Sequence, residues 1–214
     1  MANFILSGGP GAGKSTLLNA LRLAGYHTVD EASRVLIQEQ VARGERCLPW
    51  VDLPCFARLA LHRMIADYNQ ASTQPDCSAT FFDRGIPDII AYLRVAGLPI
   101  DAAFYQAVQQ YPYQPQVFMA PPWEAIYVND SERWQTFAEA TALHDALVDT
   151  YRSLGFTIVP LPLVPVADRV TFIQHTLLQH NATSPGRSAN AVELTSVEPP
   201  GVEPLLPISR SLFS

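Results

Sequence analysis

Apolar residues in this chain come in two kinds of block. Short runs suited to strands are separated by longer stretches in which apolar positions recur every three or four residues. The run at 4–6 reads as a first strand. Leu17, Leu18, Leu21 and Ala24 then fall on one stripe of a helix over 15–24, with Gly25 placed to end it. A second strand over 27–29 closes at Asp30-Glu31, and a helix over 32–42 stops near Gly44. Asp52 caps a further helix, which tolerates Pro54 in its first turn and runs amphipathic to Gln70.

The polar stretch 71–78 predicts a surface loop before a third strand at 80–83, apolar and ending on an acid. Helices over 86–96 and 101–110 precede a fourth strand at 116–119. A loop with Pro and Trp at 120–134 leads to a long helix over 136–154, ended by Gly155; a strand at 156–159 and a helix over 167–180 follow. Strands alternating with helices predict the α/β class, a parallel sheet covered on both faces. No internal repeat is visible. From 181 to 214 the composition shifts to Ser, Pro, Asn and Glu without periodicity, so the expected division is a domain over 1–180 and a disordered tail. The apolar residues near its end (Leu205, Leu206, Leu212, Phe213) leave a docking peptide as the alternative.

Composition narrows the class. With 48% hydrophobic and 16% charged residues in 214, the chain belongs with globular proteins and can bury a sizeable core. No apolar run approaches the ~18–20 residues of a membrane helix, and the N-terminus lacks the pattern of a secretory signal. The cysteines (Cys47, Cys55, Cys77) are odd in number and scattered, which predicts free thiols and a reducing, cytoplasmic location. Neither they nor the five histidines (27, 62, 144, 175, 180) show metal-ligand spacing. A net charge of -6 disfavours a nucleic-acid partner but leaves room for a local site that takes a small anion.

Such a site is written in Gly8-Gly9-Pro10-Gly11-Ala12-Gly13-Lys14-Ser15, which matches G-x-x-x-x-G-K-[ST] with a strand before it and a helix after it. Glycine lets the backbone turn so that its N–H groups face phosphate oxygens, and the helix N-terminus adds a favourable dipole. Lys14 is placed to bridge the β- and γ-phosphates, and the Ser15 hydroxyl to ligate Mg²⁺.

Asp83 ends the third strand, in the crevice where open α/β sheets bind ligands. It is expected to hold Mg²⁺ together with Ser15, and Arg84 to reach the substrate or the transferring phosphoryl group; a capping Asp beside a solvated Arg is the alternative. Glu31, ahead of Asp30, is the candidate to take a proton from an attacking hydroxyl. A helix-capping acid pair would leave the same trace, with Arg34 one turn beyond. The loop of 160–165, with three prolines, either packs against a purine or is a rigid connector.

The segments GGPGAGKST (8–16), VDEASR (29–34), FFDRGIPD (81–88), YVNDSERW (127–134) and GFTIVPLPLVPVADRV (155–170) carry a resemblance. Over 2–178 the chain resembles the AAA_28-type P-loop family, which includes the kinase domain of NadR-type nicotinamide riboside kinases. Within it the chain is similar to the small, stand-alone bacterial predicted-ATPase branch. The resemblance implies a three-layer P-loop NTPase fold with a five-stranded sheet in the order 2-3-1-4-5. It also implies ATP and Mg²⁺ at Gly8, Gly9, Pro10, Gly11, Ala12, Gly13, Lys14, Ser15 and Thr16, with Asp83 as the acid of the third strand. In small P-loop kinases the connection carrying YVNDSERW is a lid, which makes Arg133 a candidate to neutralise charge over the phosphates.

The expected function is transfer of the γ-phosphoryl of ATP to a nucleoside-like or other small hydroxyl acceptor. The alternative is an NTP-binding regulatory switch or an ATPase without such an acceptor. A mechanical AAA-type ATPase is disfavoured, because the third strand ends in Asp-Arg-Gly and not in an Asp-Glu pair. A GTPase is disfavoured by the lack of an Asn-Lys-x-Asp segment.

Overall fold

The structure is a computed structural model describing residues 2–73, 78–126 and 136–183. Strands β1 (Ala2–Gly8), β2 (His27–Val29), β3 (Ala79–Asp83), β4 (Gln116–Ala120) and β5 (Thr157–Pro160) form one parallel sheet in the order β2-β3-β1-β4-β5. Between them run α1 (Lys14–Leu23), α2 (Ala32–Ala42), α3 (Leu53–Ser72), α4 (Ile86–Val95), α5 (Ala102–Gln110), α6 (Phe137–Ser153) and α7 (Val166–Thr183). A 3-10 turn, Glu124–Ile126, follows β4.

The strands are apolar on consecutive residues because both faces of the sheet are covered. Side chains of a strand alternate between faces, and the core divides accordingly. Phe4, Leu6, Phe81, Phe118 and Ala120 pack with Leu17, Leu18 and Leu21 of α1 and Ile173 of α7. Ile5, Phe82, Val117 and Met119 pack instead with α3, α4 and α6, through residues such as Phe56, Ile90, Leu147 and Tyr151. Burying one such large side chain stabilises the fold by roughly 1.5–3 kcal/mol, so the two layers hold the strand ends firmly in place.

Element positions expected from periodicity differ from those observed by a residue or two at most ends. The final helix runs to Thr183, past the expected domain boundary at 180, and the expected tail from 184 onward lies outside the described residues. The cysteine reading needs correction. Cys47 and Cys55 are joined in a disulfide and are not free thiols. Their spacing of eight hides the pairing; the chain doubles back before α3, whose first turn is fixed by Asp52 accepting from the Cys55 amide at 2.9 Å. Cys77 lies outside the described residues. Among the described residues no helix is long and apolar enough to cross a membrane, and no group of His, Cys, Asp and Glu is placed to hold a metal among themselves.

Candidate active site

Because the strands are parallel, their carboxyl ends share one edge of the sheet, and β1, β2 and β3 deliver the candidate chemistry there. The glycine loop leaves β1 with φ of 143° at Gly8, 74° at Gly11 and 78° at Gly13, conformations that side chains resist. Gly8 is further constrained by its neighbour strand, since a Cβ there would stand 2.4 Å from the Ala120 carbonyl oxygen. Gly13 caps α1, whose first turn carries Lys14, Ser15 and Thr16 and no acid. The N–H groups of a helix's first turn and the helix dipole favour an anion, and no acid of α1 stands there to take that role.

Lys14 folds back over the loop. Its Nζ donates to the carbonyls of Gly8 at 2.9 Å and Gly9 at 3.0 Å. Burial pushes its amine down to about 8, helped by the charge of Arg84 and opposed by Asp83, Glu31 and Asp88. The Ser15 and Thr16 side chains are exposed.

Arg84 follows β3 directly with φ 72°, the positive-φ residue other than glycine among those described. This conformation costs of order 1–3 kcal/mol and persists because surrounding contacts enforce it. Its amide donates to the Leu6 carbonyl, tying the turn to β1. The guanidinium is buried and its Nε donates to Glu31 Oε1 at 2.9 Å. Nη1 reaches the Gly8 carbonyl at 3.3 Å and Asp88 Oδ1 at 3.4 Å, and the group lies over the Tyr92 ring. Glu31 also faces Arg34 across 3.6 Å. Burial alone would raise the Glu31 carboxyl; Arg84 and Lys14 outweigh it and hold it ionised below its ordinary value. Asp30, the second choice for the acceptor side, pairs with Arg22 at an exposed position instead.

Asp83 is buried behind this group, and its Oδ1 has no hydrogen-bond partner. Burial lifts its carboxyl to about 6; Lys14 pulls it down, while Glu31 adds to the rise. An orphaned carboxylate oxygen near Lys14, together with an exposed hydroxyl on Ser15, is a donor set of the hard, oxygen type that suits Mg²⁺. The residues present therefore fit such an ion.

A cavity of ≈ 410 Å³ spans the loop, Glu31, Arg34 and Arg84, and extends to Trp123, Pro165 and Arg169. Two residues of this region escaped sequence reasoning. Arg169, on α7, is buried, donates to the carbonyls of Ala12 at 3.2 Å and Pro162 at 2.9 Å, and lies 4.8 Å from the centre of the Trp123 ring. It joins the loop after β5 to the glycine loop, a contact between residues 157 apart that no local pattern announces. Asp88 is the second. Its carboxylate accepts from Ser7 Oγ at 2.6 Å, from the Gly85 amide at 2.8 Å and from the Tyr151 hydroxyl, besides Arg84. The clue available was its place three residues into α4, where an acid can cap the helix. Val164, Pro165 and Val166 line the cavity, so the proline loop is part of its wall. Arg133 lies outside the described residues.

A five-stranded parallel sheet in this order, with a glycine loop and lysine after its central strand, defines a P-loop protein of the nucleotide-kinase fold. The chain belongs to the AAA_28 family (AAA domain), whose profile matches residues 3–169. Over 41 residues it is 54% identical to a nucleotide-binding protein of Granulibacter bethesdensis; that match takes in 19% of this chain and 13% of the relative. The fold is similar to that of a deoxyadenosine kinase from M. mycoides, with TM-score 0.55 and 15% identity over 84% of this chain and 100% of that one. A thymidylate kinase from Ehrlichia chaffeensis matches over the same shares of the two chains, with TM-score 0.53 and 16% identity.

Proposed function

We propose that this protein is an ATP-dependent phosphotransferase that passes the γ-phosphoryl group to a hydroxyl of a small, nucleoside-like acceptor. The observation that carries the reading is the Glu31–Arg84 pair beside Lys14 in the cavity over the glycine loop. A carboxylate held ionised within hydrogen-bond reach of the phosphate cavity can orient a hydroxyl and accept its proton. A phosphoryl group needs little else beyond positioning and charge neutralisation. Kinases are known on this fold, so the reading asks nothing new of the scaffold.

In this reading the loop of Gly8, Gly9, Pro10, Gly11, Ala12, Gly13, Lys14, Ser15 and Thr16 cradles the phosphates. Lys14 exchanges its bonds to the Gly8 and Gly9 carbonyls for phosphate oxygens, whose negative charge favours its charged form. Arg84 adds charge on the acceptor side, and Arg133, outside the described residues, is assigned the same task. Arg34, at the mouth of the cavity, can follow a substrate in. Ser15 and Asp83 would hold Mg²⁺, which when bound neutralises phosphate charge. Trp123 and Arg169 wall the cavity away from Glu31 and keep the loop after β5 against it.

Incubation with γ-labelled ATP and Mg²⁺ against a panel of nucleosides and small alcohols tests this. Label transferred to one acceptor, and abolished in Lys14→Ala, is the expected result. Background hydrolysis with every acceptor would instead favour a nucleotide-dependent switch, and nucleotide affinity unchanged by Lys14→Ala would sink the phosphate assignment.

A further inference from the structure

The disulfide between Cys47 and Cys55 closes the connection from α2 to α3, with the two Cα atoms 5.4 Å apart. Both cysteines are half-buried, and the chain on either side (41–46, Val51, Asp52, Pro54) is exposed, so small reagents can approach. Inside the bridge Leu48 is buried, and its carbonyl accepts from the amides of Val51 and Asp52 at 2.9 and 2.8 Å. Cys55 lies in the first turn of α3, which the Asp52 cap and the disulfide hold from two sides.

That turn is also a wall. Leu53, Phe56 and Ala57, with Ala60 and Met64 further along α3, face Glu31, Arg84 and Tyr92 across a second cavity. Its free volume is ≈ 20 Å³, about enough for one water molecule. This cavity shares Glu31 and Arg84 with the one over the glycine loop, so an acceptor body reaching the ion pair from this side must displace α3.

We propose that Cys47 and Cys55 form a reversible thiol–disulfide exchange site for low-molecular-weight disulfides and thiols. The oxidised pair holds the start of α3 closed on the cavity beside Glu31 and Arg84, and reduction releases it. The exchange site stands on the geometry of α3 alone; its effect on an acceptor rests on the reading under Proposed function. Oxidation proceeds in two balanced steps. The Cys55 thiolate attacks a small disulfide, forms a mixed disulfide and expels one thiolate. The Cys47 thiolate then attacks the Cys55 sulfur and expels the second. The protein gives up two protons and two electrons, and the small disulfide becomes two thiols. Two small thiols run both steps backward and end joined as the small disulfide.

The test equilibrates the full chain in oxidised or reduced glutathione, maps thiols by alkylation and mass spectrometry, and follows amide hydrogen exchange. Reduction is expected to expose both Cys47 and Cys55 and to speed exchange over 53–64 by about tenfold, leaving 14–23 unchanged. Cys47→Ser and Cys55→Ser should show the fast pattern in either buffer. A pair that stays bonded in reduced glutathione under native conditions overturns the proposal, as does equal exchange over 53–64 in both states. With an acceptor identified, reduction should lower its KM and leave the nucleotide affinity unchanged; an unchanged KM would overturn the gating role. If no acceptor is ever labelled but the exchange pattern responds as expected, the kinase reading fails and the exchange site stands.

Discussion

Glu31 and Arg84 stand 53 residues apart in the chain, yet the Nε–Oε1 distance between them is 2.9 Å and both side chains are at most 10% exposed. Strand register produces the pairing. Val29 of β2 lies opposite Phe82 of β3, and two further residues along each strand bring Glu31 and Arg84 to the same edge. The left-handed turn at Arg84 then swings its guanidinium under the glycine loop, where Gly8 and Asp88 complete its contacts.

Removing the Glu31 carboxylate should separate chemistry from binding. Glu31→Ala leaves a buried guanidinium short of one partner, and losing one side of a buried pair costs about 3–5 kcal/mol. Asp88 and the Gly8 carbonyl remain, which places the effect toward the lower value. Glu31→Gln keeps the shape and one oxygen, with an expected loss of roughly 1–2 kcal/mol. In the proposed reaction Glu31→Gln should lower phosphoryl transfer by about 10²–10⁴-fold, the range of a lost general base. Nucleotide affinity should change only a few-fold. Calorimetric titration of nucleotide beside steady-state transfer rates decides it; an unchanged rate removes Glu31 from the acceptor side.

How far these residues can be read from the sequence depends on how local their cause is. The glycine loop is readable because each glycine answers a local backbone demand and a strand and helix flank it. Asp83 and Glu31 are readable as strand-end acids. The nearness of Glu31 to Arg84 is not local, since it needs β2 beside β3, an order that only family resemblance supplied. Arg169 and Asp88 were missed for the same reason: Ala12 for one, and Ser7 and Tyr151 for the other, are far away in the chain. The Cys47–Cys55 bridge was misread because an odd cysteine count was taken as evidence about all three.

Asp88 is the anchor of this arrangement, and Asp88→Asn should show it as lost stability. One carboxylate accepts from a hydroxyl on β1, an amide of the β3–α4 turn, a tyrosine of α6 and Arg84. An amide can accept at only one of its two polar atoms, so at least one buried donor is left facing N–H groups. Hydrogen bonds to charged groups contribute roughly 1.5–3 kcal/mol each, and a loss of about 3 kcal/mol is expected. That corresponds to a fall in Tm of about 6–12 °C for a domain of this size. Thermal unfolding with a drop under 2 °C would mean that the network tolerates the exchange.

Two glycines distinguish strain from collision. Gly8 combines φ 143° with a backbone oxygen 2.4 Å from any added Cβ, whereas Gly25 has φ 90° and nothing within 4 Å. Gly25→Ala should therefore cost about 1–2 kcal/mol, the strain alone. Gly8→Ala must also push β4 away from β1 and should cost more than about 3 kcal/mol, with loss of nucleotide binding. Urea unfolding of the two variants side by side checks the ordering. Equal losses would contradict the close contact between Gly8 and Ala120.

His144, on α6, supplies a pH dependence apart from the candidate site's own titrations. Its Nδ1 is buried without a hydrogen-bond partner, and burial lowers its pKa below the ordinary value, against the opposing effects of Asp145 and a bond with the Ala120 backbone. On acidification the unfolded chain takes up the imidazole proton first, near its ordinary pKa of about 6.5. Between that value and the lower folded one the unfolded state binds more protons, so stability falls as pH falls through this window and is unaffected above it. Asp83 acts in the opposite sense. Its carboxyl is raised to about 6, so the native state holds a proton that the unfolded chain has released, and stability rises as pH falls from 6 toward 3.8. The wild-type profile mixes the two, and the difference from His144→Gln isolates the histidine. On going from pH 7.5 to pH 5.5 the urea midpoint should shift further toward lower urea in the wild type than in His144→Gln, in which the gain from Asp83 stands unopposed. An equal difference in both proteins would show that His144 is as easily protonated in the folded chain as in the unfolded one.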